Sequence, residues 1–225
     1  MKAADVMVRD VITVKPDDKV ADAVELLSNY DISALPVVDD NGKIVGILSE
    51  ADLIQREEIG TQKQHQRWLE AILPASKLAK EFAKSHGQRV EEVMTTRVVA
   101  ASENTSLSEI AKLLEKHRIK RIPIVENGVL VGIVSRSNLI QALASAQAHV
   151  QDGEPESDRQ IRLDLLDRLA HQQWTDFAER NVIVNHGVVH LWGLVGTAAE
   201  HEALLALAEE VPGVVSVSDE MIPAY

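Results

Sequence analysis

Along the first two thirds of the chain the apolar positions change period in a fixed order, and that order occurs twice. Val20, Ala23, Val24 and Leu27 share one face at 3.6-residue spacing, as do Leu107, Ile110, Ala111 and Leu114. Each set predicts an amphipathic helix. Short apolar runs follow at Pro36-Val37-Val38 and from Lys43 to Leu48, around Asp40-Asn41-Gly42. That arrangement predicts a β-hairpin, and Glu126-Asn127-Gly128 punctuates the second set in the same way. Each copy reads as extended lead-in, helix, strand, strand, helix.

The identities repeat with the pattern. Val6-Met7 returns as Val93-Met94, Leu26-Leu27 as Leu113-Leu114, and Val45-Gly46-Ile47 as Val131-Gly132-Ile133. Leu53-Ile54 closes the first unit and Leu139-Ile140 the second. The offset falls by one residue within the hairpin turn, where a loop tolerates a deletion. The copies are bounded at 1–58 and 90–148. The 59–89 connection carries Trp68, Leu69, Ile72 and Leu73, then Leu78, Phe82 and Ala83, predicting two helical pieces broken at Pro74. It reads either as an interface helix or flap over a ligand cleft, or as packing that extends the core of the repeats. Lys63, Arg67, Lys77, Lys80 and Lys84 also permit contact with a membrane surface, which the interleaved Glu70 and Glu81 oppose.

Residues 149–158 are polar, with Gly153 and Pro155, and read as a linker. Over 159–225 the order is helix, strand, strand, helix, strand. Ile161, Leu165, Leu166 and Leu169 share a helical face, Val182-Ile183-Val184 and Val188–Val195 turn at Asn185-His186-Gly187, and Thr197 caps a second helix. Pro212-Gly213 stops that helix, and a last strand is expected from Val214.

Charge changes the picture at this end. The chain carries a net charge of −12, and residues 150–225 hold 4 Lys/Arg against 14 Asp/Glu. An acidic third repels nucleic acid and anionic lipid, so neither is expected as a partner. There is no cysteine, which excludes thiolate chemistry and disulfides. No long apolar run precedes Arg9 and Asp10, and no stretch approaches the ~20 apolar residues of a spanning helix, so a cytoplasmic location is expected.

Val11-Ile12-Thr13-Val14, Ser33–Asp39 and Gly46–Asp52, with Gly132–Asn138 in the second copy, resemble the CBS domain in tandem. The resemblance implies a mixed α/β (α+β) fold in which the two copies form a pseudo-twofold module, commonly a homodimer. It also implies adenine nucleotides (AMP, ADP or ATP) as regulatory ligands in clefts between the copies, with no cofactor required. Val184…Gly187–Gly193 and Gly213–Val217 resemble the BON domain, elsewhere associated with phospholipid. Tandem CBS repeats followed by a BON domain also resemble a bacterial family of signal-transduction proteins, with a downstream protein partner left unidentified.

The residues that carry chemistry follow from that resemblance and from their own types. Thr13, Val14, Leu35, Pro36, Val37 and Ile47 are expected to line the first ligand site. Ser49 and Asp52 stand at a strand-to-helix junction, which reads both as a capping box and as a ribose contact, since a carboxylate only accepts hydrogen bonds. In the second copy Asn138 replaces the aspartate and Ala100 replaces the threonine. The site of Ile122, Pro123, Ser135 and Asn138 is therefore expected to be weaker. Lys120 and Arg121 precede a buried strand, where they read as phosphate contacts, as in the regulatory subunits of AMP-activated kinase, or as members of a structural ion pair. His186 and His190 flank a turn without a neighbouring carboxylate or cysteine, so no metal site is expected. No nucleophile–base pair, P-loop or dinucleotide fingerprint occurs, so no enzyme is expected. The alternatives kept open are a ligand-free assembly scaffold and membrane-lipid association through the BON-like segment.

Overall fold

A computed structural model describes residues 1–54, 56, 60–61, 74, 84–148 and 155–224, except for the side chains of 146–148 and 155–157. The helical pieces expected around Trp68 and Phe82, and residues 149–154 of the linker, lie outside the described residues. In chain order the elements are α1 (Ala3–Val6), α2 (Val20–Asn29), β1 (Ala34–Val38), β2 (Ile44–Ser49), α3 (Glu50–Leu53) and α4 (Val90–Val93). Then come α5 (Leu107–Lys116), β3 (Arg121–Glu126), β4 (Val129–Ser135), α6 (Arg136–Ala148) and α7 (Pro155–Ala170). Last are β5 (Val182–Asn185), β6 (Val188–Val195), α8 (Ala198–Glu209) and β7 (Ser216–Pro223). The strands form three small sheets, β1-β2, β3-β4 and β5-β6-β7.

The chain divides into two compact units that cut across the sequence repeats. One holds Val11–Ala100 with Val125–Leu130. The other holds Met1–Asp10, Ala101–Ile124 and Val131–Tyr225.

In the first of these, β1 pairs antiparallel with β2, and the lead-in adds a parallel bridge between Val14 and Val37. Ala23 and Leu27 of α2 close over Leu35, Val37 and Leu48, all buried, as their helical and strand periods require. The short helix α4, which opens the second sequence repeat, completes this core with Val90 and Val93. Val90 N–H donates to Asp18 C=O at 2.9 Å, and Thr95 and Ile47 exchange both backbone bonds at 2.9 Å. Gly46 makes this docking possible: a Cβ there would lie 2.4 Å from Met94 Sδ.

The other unit repeats the arrangement with the opposite lead-in. Ala3 N–H donates to Thr105 C=O at 2.8 Å, and Val8 and Ile133 exchange bonds at 3.0 and 2.9 Å. Met7 is fully buried over Gly132, where a Cβ would lie 2.7 Å from its sulfur. Each repeat's opening helix is thus exchanged into the core of the other copy.

The turns explain the one-residue change of offset. Asn127 and Gly128 both adopt positive φ (52° and 85°), the requirement of a two-residue hairpin. The first copy's longer turn is closed instead by the Asp39 carboxylate, which accepts from Asn41 N–H and Lys43 N–H at 2.9 Å each.

The C-terminal segment packs within the second of the two units. In its sheet β5 pairs antiparallel with β6, and β6 pairs in parallel with β7 across α8. Val182, Val184, Val189 and Leu191 face Ile161, Leu165 and Leu169 of α7 and Leu204 and Ala208 of α8. Thr197 caps α8, its hydroxyl accepting from Glu200 N–H at 3.1 Å. The last strand begins at Ser216 rather than Val214, because the chain is still turning out of Gly213 at φ +89°. Ile183, on the opposite face of the sheet, joins the core formed by Ile110, Ile122, Val134 and Ala142. Asn185 Nδ2 donates to Ser145 C=O at 3.0 Å beside it. Among the described residues no helix is long and apolar enough to cross a membrane.

Candidate functional site

The structure gathers Thr13, Val14, Leu35, Pro36, Val37, Ile47, Ser49 and Asp52 into the unit that holds Val11–Ala100. Val14, Leu35 and Val37 point into its core, at 4%, 0% and 0% exposure. Thr13 and Ile47 stay half-exposed, and Pro36, though buried, faces Ile47 across the ladder. Alternation along the strand sorts the set, because neighbouring side chains point to opposite faces.

Asp52 is the most heavily bonded side chain of this group. Its Oδ2 accepts from Ser49 N–H at 3.1 Å and from the Ser49 hydroxyl at 2.8 Å, so the carboxylate caps α3. Its Oδ1 accepts from Lys84 Nζ at 2.7 Å and from the Thr95 hydroxyl at 3.0 Å. The side chain is 9% exposed. A carboxylate offers about four acceptor positions, and all are in use. The sequence offered Lys84 only as one of the basic residues permitting membrane contact and did not single out Thr95, since only the fold brings residues so distant in sequence to Asp52.

Lys120, Arg121, Ile122, Pro123, Ser135 and Asn138 lie in the other unit. Ile122 and Pro123 are buried, Lys120 is exposed and Arg121 is half-buried at the start of β3. Asn138, 5% exposed, reproduces the cap: its Oδ1 accepts from Ser135 N–H at 2.8 Å and from the Ser135 hydroxyl at 2.7 Å. An amide oxygen is sufficient for the structural half of the role. What Asn138 lacks is the charge.

The two histidines have carboxylate neighbourhoods that sequence spacing did not show. Parallel pairing sets His190 opposite Ser218, two residues from Glu220, and His190 Nδ1 lies 3.0 Å from Glu220 Oε1. His186 stands at φ +53° in the β5–β6 turn, where its N–H donates to Asp158 at 2.8 Å.

The CBS-domain model matches residues 3–58 and 90–145, and the BON-domain model matches residues 157–222. The protein MJ1426 of Methanocaldococcus jannaschii is 31% identical over 159 residues, which cover 64% of this chain and 91% of that one. This chain is a tandem CBS-domain protein with a C-terminal BON domain. Its CBS repeats are 33% identical over 135 residues to the chloroplastic CBS domain-containing protein CBSX2 of Arabidopsis thaliana, a match spanning 57% of each. The crystal structure of CBSX2 in complex with AMP superposes with a TM-score of 0.57 at 31% identity, covering 65% of this chain and 98% of that chain. The box of Ser49 and Asp52 and that of Ser135 and Asn138 are thus equivalent corners of two CBS repeats.

Proposed function

We propose that this chain is a non-enzymatic regulatory protein whose CBS repeats bind an adenine nucleotide, with the BON domain passing the change to a partner protein. The observation that carries the reading is the likeness of the tandem repeats to CBSX2, whose structure holds AMP. Asp52 accepts the ribose hydroxyls, which replace Lys84 and Thr95 on Oδ1 while the Ser49 bonds to Oδ2 remain. Thr13, Pro36 and Ile47 contact the adenine, Val14, Leu35 and Val37 hold that wall from behind, and Lys120 or Arg121 binds the phosphate. The second site, with Asn138 in place of the carboxylate, is weaker because its hydrogen bonds lack charge assistance.

A ligand-free scaffold is the second reading, favoured by the full set of protein donors already on Asp52. Titration of AMP and adenosine into the wild-type chain and Arg121→Ala separates the two. A sensor loses AMP affinity in the variant and keeps its adenosine affinity, because only the phosphate contact is removed. A scaffold binds neither, and Arg121→Ala costs stability by breaking an ion pair.

A further inference from the structure

A cleft of about 130 Å³ opens in the unit that joins the second CBS core to the BON domain. Its walls carry Arg9, Arg159 and Arg162, His186, and apolar surface from Ala4, Leu163 and Val184. Asp5 and Asp158 also line it, but both are committed. Asp158 accepts from the backbone N–H groups of His186 and Gly187 at 2.8 and 2.7 Å. Asp5 accepts from Lys2 N–H at 2.7 Å and pairs with Arg159 at 3.2 Å.

Arg162 is the group that this arrangement leaves without a direct ion pair among the described residues; Glu179 and Asp5 act on its charge only from beyond bonding distance. It is 3% exposed, and its hydrogen bonds run to backbone carbonyls: Nε to Val182 at 2.9 Å, Nη2 to Glu179 at 2.7 Å and to Met7 at 3.4 Å. Nη1 donates to no acceptor among the described residues, and no carboxylate lies within ion-pair distance of the guanidinium. Burial holds its pKa down at about 10. Beside it His186 Nδ1 is buried with no hydrogen-bond partner. A buried cation and an unpaired ring nitrogen are costly unless something pairs with them. Glu179 and Asp5 offset part of the Arg162 charge through space, but among the described residues no carboxylate bonds the guanidinium or His186 Nδ1.

We infer that this cleft is a second ligand site, separate from the nucleotide-binding residues, which takes a small oxyanion on Arg162 and His186 with Arg159 at its rim. The volume admits a phosphate-sized group, since one water needs only ~10–15 Å³ on a comparable measure. Guanidinium groups suit carboxylates and phosphates alike, through paired N–H donors. Because α1, α7 and the β5–β6 turn all contribute to the walls, the anion ties the BON domain to the CBS core.

Calorimetry of inorganic phosphate into the full chain, at constant ionic strength set with chloride, tests the inference. Parallel titrations with acetate and sulfate distinguish the class of oxyanion. Saturable binding is expected, weakened at least tenfold by Arg162→Lys and by His186→Asn. The second variant keeps a residue suited to positive φ, so it serves if Arg162→Lys fails to fold. Asp52→Asn and the double variant Lys120→Ala/Arg121→Ala should leave this binding unchanged. Absence of saturable binding by all three anions, or loss of it in Lys120→Ala/Arg121→Ala with retention in both cleft variants, overturns the inference. The CBS nucleotide reading stands or falls independently, on the adenosine and AMP titrations.

Discussion

Gly132→Ala tests the exchange of opening helices between the two CBS copies. A Cβ at Gly132 would lie 2.7 Å from Met7 Sδ, 3.1 Å from Met7 Cγ and 3.1 Å from Val8 C=O. Met7 is 0% exposed, and Val8 C=O is fixed by accepting from Ile133 N–H at 2.9 Å. Overpacking of this kind costs about 1–3 kcal/mol. Reduced freedom of the unfolded chain returns about 0.4–1 kcal/mol on a glycine-to-alanine change. The balance is a net loss of about 0–2.6 kcal/mol, a fall in Tm of up to roughly 10 °C for a unit of this size. At Gly46 the three nearest atoms all belong to Met94, a half-buried side chain that can swing aside, so Gly46→Ala should cost less. Thermal and urea unfolding of Gly132→Ala, Met7→Ala and the double variant give the coupling directly. Met7→Ala should be damaging alone yet reduce the cost of Gly132→Ala, because it removes the clashing sulfur. Additive effects, or a larger loss at Gly46 than at Gly132, would refute the exchanged packing.

Two further outcomes follow. Glu92 accepts from Gln88 N–H and Arg89 N–H at 2.7 and 2.9 Å, and these bonds hold its pKa below the ordinary 4.5. A depressed carboxylate stabilises above its ordinary pKa and loses that contribution as pH falls through the folded value; Glu92→Gln should therefore lower Tm at neutral pH, with the gap closing below about pH 4.5, and a gap independent of pH contradicts the cap. Val24 on α2, Tyr30 at its C-cap and Ile140 and Leu143 on α6 are 45–65% exposed, so sedimentation velocity should show a dimer through the CBS repeats, and a monomer persisting at high micromolar concentration contradicts this.

The repeats were legible because each strand and helix carries its own period, and because Val-Met, Asn-Gly and Ser-x-x-Asp/Asn recur at nearly constant offset. The same near-identity hid the exchange of opening helices. Val6-Met7 and Val93-Met94 fit either core equally well in the sequence, and only the packing of Met7 on Gly132 and Met94 on Gly46 assigns them. The Ser49–Asp52 cap was visible as a local spacing, whereas Lys84 and Thr95 reach Asp52 from 32 and 43 residues away. His190 and Glu220 meet only through the parallel register of β6 and β7, which no local pattern encodes. Ile183 likewise alternates as an ordinary strand residue, and its burial in the CBS core depends on long-range docking.

The central claim, that the CBS repeats bind an adenine nucleotide through Asp52, is tested most directly by calorimetric titration of AMP into the wild-type chain and Asp52→Asn. The amide keeps the cap, as Asn138 does in the other copy, so the variant removes the charge and the Lys84 ion pair while leaving the helix start in place. Loss of charge assistance on the ribose bonds is worth on the order of 1–2 kcal/mol. The account predicts saturable AMP binding to the wild type, weakened about 5- to 30-fold in Asp52→Asn. No heat of binding to the wild type, or equal affinity in the two proteins, would contradict it.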